Sequence, residues 1–420
     1  MTLLTFIDRS NIALAAPALI ADLGITRTQF GLASGLLMVP YGLLMLPSSL
    51  GFTLWGLRAW FPTIVFAWGA ATAATGGVRS AADLYGTRLA LGAAEAGCMP
   101  GCWFLLASFL PAGELPGAFA WVIAATVFSQ VVGGPIAALF LGPLDGVGGL
   151  AGWRWLFIVE GVVTAALGLG LRWALADGPA VAPWLSSEEA AWLADRHAED
   201  EAMSRGAQAR SGGAGAGAVA AAPRPAAKRQ SAKALLADAL LVVRRWPVWL
   251  LACTLAAVQL AYFAIMFFTP LLIGSAFGAS AVSAGAPLSS THTAVVALKS
   301  VAVYGPAAVA VISAGALSRR TGDRRWTCVA CLALSCVAFG VLPTVAAASP
   351  RGALATLALA ASGGVACLAV LTTWPGDYVL TDPHAAASYA FFNAFAAVGG
   401  FAGPYLMGAL PFGPACADRG

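Results

Sequence analysis

Charge is what this sequence has least of. Asp, Glu, Lys and Arg make up 10% of the 420 residues, whereas a soluble domain carries roughly 25%. A water-soluble globular fold is excluded on that ground alone. Histidine is nearly absent: the three residues are His197, His292 and His384, too far apart in sequence to suggest a metal cluster. Cys328 and Cys331 form a lone C-x-x-C with no second pair, so the eight cysteines read as buried structural thiols. No nucleophile–base constellation and no nucleotide-binding glycine loop is present, so neither an enzyme nor a cofactor or metal is expected. The net charge of +4 is gathered in two connecting segments, where it orients a membrane protein and does not bind nucleic acid. Residues 1–7 are apolar but lack the basic leader and cleavage site of a secretory signal.

Apolar sequence is what remains. Hydrophobic residues make up 60% of the chain and the mean hydropathy is +0.81. Apolar runs of about 20 residues match a bilayer's thickness. Eleven such spans lie near 1–20, 30–54, 60–78, 83–109, 115–140, 153–175, 246–274, 291–317, 325–346, 352–374 and 385–410. The first is short: seven residues precede Asp8, whereas mid-membrane lies about ten in.

The spans group as 1–175, a first half of six, and 246–420, a second half of five. Residues 176–245 form a polar linker between them. Within it, Ser186 and Glu189 fit a capping box that starts a surface helix running to about Ser204. Arg205–Ala227 is rich in Gly, Ala and Pro and reads as disordered, and a second short helix from about Ser231 leads to Arg244 and Arg245. The linker and the eighth connection (Arg319, Arg320, Arg324, Arg325) hold most of the Lys and Arg, so both are expected on the cytoplasmic side.

Against this background a few charges stand out. Arg88 and Glu95 lie inside the fourth span, seven residues apart, on one helical face and about 10 Å apart along the axis. Asp8 and Arg9 lie inside the first span. A charge at mid-membrane costs roughly 2.5–3.5 kcal/mol even on a lenient scale, so it requires a partner or a water-filled cavity and marks a substrate or ion pathway.

An internal repeat divides the spans. Gly56-Leu-Arg58-Ala-Trp60 recurs as Gly322-Asp-Arg324-Arg-Trp326, and Gly133-Gly134 recurs as Gly399-Gly400, both at an offset of 266 residues. This is the mark of a parallel duplication of six spans. By the same offset the partner of span six would begin at 419 and that of span seven at −20, so the twelfth span and part of the first are expected to be missing from this sequence.

Taken together, the motifs resemble the major facilitator superfamily and, within it, the anion:cation symporters. They are Asp8-Arg9-Ser-Asn11-Ile, Arg88-x6-Glu95-Ala-Gly97 with Pro100-Gly101, Gly152-Trp-Arg154-Trp-Leu-Phe157-Ile-Val-Glu160-Gly161, Ala182-Pro-Trp184-Leu-Ser-Ser-Glu188-Glu189 and Asn393-x5-Gly399-Gly-Phe-Ala-Gly403-Pro404. The resemblance implies an all-α membrane protein of two six-helix halves, a multi-pass monomer in the bilayer. It implies symport of a small organic anion with protons, by alternating access. On that scheme Asp8 and Glu95 couple protons, and Arg9 and Arg88 bind the substrate. Tyr41, Tyr262 and Trp374 match aromatic positions lining the family's cavity. Core packing is the bland alternative for each.

Asn393 and Gln130 are polar side chains in apolar helices and are candidate substrate contacts. Lys299 is expected to snorkel, and Arg154 and Glu160 read as structural. The family's switching motif corresponds to Gly56 and Arg58 after span two and to Gly315, Arg320, Gly322 and Arg324 after span eight. Both copies lack the family's acidic member, with Arg319 standing where it would be in the second. Other readings stay open: an anion exchanger or facilitator, and a truncated non-transporting product or sensor.

Overall fold

Hydrocarbon offers no partner to a backbone N–H or C=O, so a chain this apolar must satisfy its backbone internally. In the computed structural model, which describes residues 2–111, 113–210, 244, 246–277, 290–371 and 385–410, helices do so almost throughout, and no strand occurs among these residues. The first part of the chain forms α1 (Thr2–Leu23), α2 (Arg27–Leu36), α3 (Met38–Trp55), α4 (Leu57–Thr75), α5 (Ala81–Glu95), α6 (Cys98–Phe109), α7 (Leu115–Leu141) and α8 (Gly152–Ala174). The surface helix α9 (Ser187–Arg210) follows, and then α10 (Trp246–Phe277), α11 (Ser290–Thr321), α12 (Arg324–Ala348), α13 (Pro350–Leu371) and α14 (Ala385–Ala409).

Each of the eleven expected stretches falls on one helix or on a consecutive pair. Eight stretches are long and apolar enough to cross a membrane by length and composition. Two of them, Arg27–Phe52 and Ala81–Phe109, contain a break. The second break has a sequence cause. Pro100 has no N–H for the carbonyl four residues earlier, so the ladder fails at Ala96, immediately behind Glu95.

α4 and α8 run antiparallel and touch through glycine. Gly69 faces the backbone of Gly161 and Ala165, Gly161 faces Ala73, and Gly168 faces Phe66. Without a hydrophobic driving force between helices in lipid, such close backbone approach is what makes them adhere. The repeated glycine pair serves different neighbours in its two copies. Gly134 on α7 lies against Ala297 and Val301 of α11, whereas Gly400 on α14 lies against Met38 of α3 and Phe263 of α10. α14 also seats Gly31 and Gly35 of α2 against Pro404 and Phe401.

The other repeated glycine has the same role twice. Gly56 (φ 81°) and Gly322 (φ 68°) both take the left-handed backbone that lets one helix end and the next begin. What caps the next helix differs. Asp323 caps α12, its Oδ1 accepting from the N–H groups of Arg325 at 2.9 Å and Trp326 at 3.3 Å. The equivalent residue before α4 is Leu57, which cannot cap. There the carboxylate comes from Asp177, beyond α8, whose Oδ1 accepts from the Arg58 N–H at 2.8 Å. Arg172 completes the clasp by donating to the Arg58 carbonyl at 3.0 Å. Asp177→Ala should therefore cost about 1 kcal/mol, as loss of an N-cap does. Thermal unfolding in detergent should show Asp177→Ala and Asp323→Ala lowering the midpoint by similar amounts.

The capping box before α9 forms as its sequence suggests. The Glu189 N–H donates to Ser186 Oγ at 3.2 Å, and the Ser186 N–H donates to Glu189 Oε2 at 2.9 Å. These bonds hold the Glu189 carboxyl below the usual carboxylate range. α9 continues to Arg210, past the expected end near Ser204. The rest of the expected disordered stretch and the second short helix lie outside the described residues.

Candidate functional site

α1 places Asp8, Arg9, Ser10 and Asn11 on consecutive positions, all buried, so one turn of helix presents polar groups to several neighbours at once. Arg9 donates through Nε to Glu95 Oε2 at 2.6 Å, in an ion pair with both side chains almost fully enclosed. Its guanidinium also lies over the Tyr41 ring, 4.5 Å from the centroid, and 5.4 Å from that of Phe6. Arg9 Nη2 and Glu95 Oε1 have no protein hydrogen-bond partner. Glu95 is the last residue of α5, beside the break made by Pro100, and α1 meets α6 there through Thr5 Oγ1 and Cys98 Sγ at 3.4 Å.

Arg88 does not pair with Glu95, although the two share a helical face. It is 1% exposed and reaches Thr75 Oγ1 on α4 at 3.4 Å, with the Phe157 ring 5.6 Å from its guanidinium carbon. Its Nε has no protein partner. The structure thus brings Asp8, Arg9, Arg88, Glu95 and Tyr41 into one buried cluster formed by α1, α3 and α5.

Other candidates lie apart from that cluster or at its edge. Gln130 on α7 and Tyr262 on α10 line one small cavity with Thr126, Tyr304, Ala307 and Val365, about 20 Å³ in volume. That is room for a water or two, not for an organic anion, whose site needs some hundreds of Å³. Gln130 Nε2 is buried there without a partner. Asn393 is half-buried on α14, between Phe391 and Phe395, which stack on each other and meet Trp249 edge-on. Trp374 lies outside the described residues. Lys299 places its ammonium over the Phe277 ring, 3.4 Å from the centroid.

Arg154 is structural, as its sequence position suggests. It bridges Asp22 at 3.0 Å and donates to the Gly76 and Val78 carbonyls at 3.1 and 2.8 Å, tying α8 to the ends of α1 and α4. Glu160 is different. Asn11 Nδ2 donates to its Oε2, which sets the Glu160 carboxyl beside the face of α1 that also carries Asp8. Sequence reasoning placed Glu160 near the start of span six as a structural residue. The signal available was only that an acid lies eight residues inside an apolar helix.

A bundle of helices long and apolar enough to cross a membrane, with charges buried between them, is the architecture of a membrane transport protein. The sequence matches the family model of the Major Facilitator Superfamily over residues 1–410. The chain belongs to that superfamily and is an integral, multi-pass membrane protein. It is 30% identical over 405 residues to a candidate tartrate transporter of Agrobacterium vitis, an alignment covering 96% of this chain and 80% of that protein. It is 34% identical over 206 residues to the candidate metabolite transport protein NicT of Pseudomonas putida, covering 49% and 47%. Among solved structures it is similar in fold to a bacterial homologue of the human lysosomal transporter Spinster, in an inward-facing and unoccupied conformation. There the TM-score is 0.68 at 17% identity, with 96% of this chain and 79% of that one covered.

Proposed function

We propose that this protein is a secondary transporter of a small carboxylate, of the anion:cation symporter type, driven by protons. The observation that carries the reading is a pair of buried guanidiniums, Arg9 and Arg88, each with a nitrogen that no protein group engages. A guanidinium binds carboxylate through parallel N–H groups, and a relative over nearly the whole chain is named for tartrate, a dicarboxylate. Glu95 holds Arg9 until it takes a proton, and Arg9 is then free for substrate. Asp8 couples a proton beside it. Residues 1–175 and 246–420 act as the two halves that rock about the site, joined by 176–245 on the cytoplasmic face, and the working unit is a monomer.

The close glycine contacts between the halves lie at Gly31, Gly35, Gly42, Gly134, Gly142, Gly400 and Gly408. On α2 and α3 these fall toward the end opposite the Gly56 motif. This favours a conformation closed on the side away from the linker, which agrees with the small volume of the Gln130–Tyr262 cavity.

Uptake of radiolabelled tartrate into proteoliposomes tests the reading. An inward proton gradient should drive accumulation that a protonophore collapses, and Glu95→Gln should abolish accumulation while leaving tartrate counterflow. Uptake indifferent to the gradient and to Glu95→Gln would return the protein to the exchanger or facilitator class.

A further inference from the structure

The polar cluster extends past the arginines to a place the transport scheme above does not use. Three helices each contribute a same-face pair at one level: Asp8 and Asn11 on α1, Trp68 and Thr72 on α4, and Glu160 and Thr164 on α8. The antiparallel alignment of α4 and α8 sets that level, because Gly69 meets Gly161 and Ala165, and Gly161 meets Ala73. Asn11, Trp68, Thr72 and Thr164 are all 0–1% exposed. Asp8 Oδ2, Glu160 Oε1, Asn11 Oδ1, Thr72 Oγ1 and Thr164 Oγ1 all lack a protein hydrogen-bond partner.

Asn11, one turn from Asp8 on the same face of α1, bonds Glu160, so the two carboxyls share one neighbourhood, and that sets the chemistry. Two ionised carboxylates only accept hydrogen bonds, so they cannot bond to each other. With one proton between them, a hydrogen bond can form and one of the two charges is removed. The wider charge balance asks for the same thing. In the cluster as a whole the charged groups besides Glu160 are Asp8 and Arg9 on α1 and Arg88 and Glu95 on α5; α4 offers only the indole of Trp68 and the hydroxyls of Thr72 and Thr75, and α7, which also packs on α8, carries no charge. Three carboxyls therefore face two guanidiniums, and Arg9 is already engaged by Glu95. One monovalent cation restores neutrality in a place where an uncompensated charge is very costly. Donors select which cation. The Asn11 amide donates to Glu160, and the buried Trp68 Nε1–H at the same level has no protein acceptor. Such N–H groups suit a protonated carboxyl pair and would repel a bound metal cation.

We propose that Glu160 is a third proton-coupling carboxyl, sharing one proton with Asp8, and that Asn11 positions it for that exchange. The proposal rests on the proton-coupled reading above and adds α8 to the helices that sense the proton. α8 packs along α4 through bare glycine backbone, so losing the shared proton on one side of the membrane would repel α1 from α8 and loosen that contact.

The test separates this inference from the reading it rests on. In pH-difference infrared spectra of the purified protein, a protonated-carboxyl band should be present in the wild type. It should be lost in both Asp8→Asn and Glu160→Gln, because removing either acid balances the two guanidiniums. In tartrate-loaded proteoliposomes Glu160→Gln should keep counterflow and lose proton-driven accumulation, and Glu160→Asp should recover part of it. If the wild type accumulates tartrate with protons, and Glu160→Gln does so equally with an unchanged pH profile, Glu160 is structural and the proposal is overturned. If the wild type ignores a proton gradient and follows a sodium gradient, the proton reading itself fails. Should Glu160→Gln not fold, Glu160→Asp decides by infrared: a band that shifts with the shorter acid supports the pair, and an unmoved band refutes it.

Discussion

If the chain carries tartrate through Arg9 as proposed, replacing Arg9 with Gln should abolish tartrate uptake and destabilise the protein at once. The guanidinium is bonded to Glu95 at 2.6 Å with both side chains nearly fully enclosed. Removing one partner of such a pair leaves a buried charge unmatched, at a cost of about 3–5 kcal/mol. The Tyr41 ring, 4.5 Å from the guanidinium carbon, loses its cation as well, worth about 0.5–2 kcal/mol. Two readouts keep the structural and functional parts apart. In the double variant Arg9→Gln/Glu95→Gln the unmatched charge is gone, so thermal unfolding should return towards the wild-type midpoint. Uptake should not return, because the anion's ligand is still absent. Recovery of both would mean that the pair is only a structural brace. Arg9→Lys tests geometry: it keeps the charge but not the planar fork, and uptake should stay well below the wild type.

A large side chain at Gly31 is expected to cut uptake by a different route. A Cβ there meets the Pro404 carbonyl and stands 3.2 Å from the Gly408 Cα, backbone on both counts. Overpacking of this kind costs about 1–3 kcal/mol. The contact joins α2 to α14, across the two halves, so the cost falls on the closed arrangement and not on either half alone. By the usual conversion of about 1.4 kcal/mol per decade, Gly31→Leu shifts the balance away from that state by about 5- to 150-fold. Uptake should fall by about fivefold or more on the same conversion, with helical content by circular dichroism unchanged. Gly86→Leu is the control: nothing lies within 4 Å of a Cβ there, and transport should be unaffected. Loss of folded protein in Gly31→Leu, or equal loss in both variants, would refute a seam-specific effect.

Much of the architecture was legible because the bilayer imposes a simple rule. Apolar runs of sufficient length must be helices, and Lys and Arg mark one side. The same rule made the four charges of spans one and four stand out as functional. The repeat was legible through Gly56 and Gly322 because both copies need the left-handed backbone. Its capping partner was not, because the first copy has Leu57 where the second has Asp323 and takes its carboxylate from Asp177, well over a hundred residues on. The linker box of Ser186 and Glu189 was readable for the opposite reason, since all its bonds are local.

By itself, then, the sequence determined the class of protein, the helical stretches and the identity of the buried charges, all consequences of local composition and fixed periodicity. Only the tertiary structure decided the pairing. Arg88 and Glu95 share a face on one helix, yet Glu95 pairs with Arg9 of α1 and Arg88 turns to Thr75 of α4. Glu160, unremarkable in its own helix, meets Asn11 of α1. The physical reason is that a buried charge is stabilised by whichever opposite charge or proton lies within hydrogen-bond distance. In a bundle that distance is set by which helices the glycines allow to touch, and no spacing along the chain encodes it.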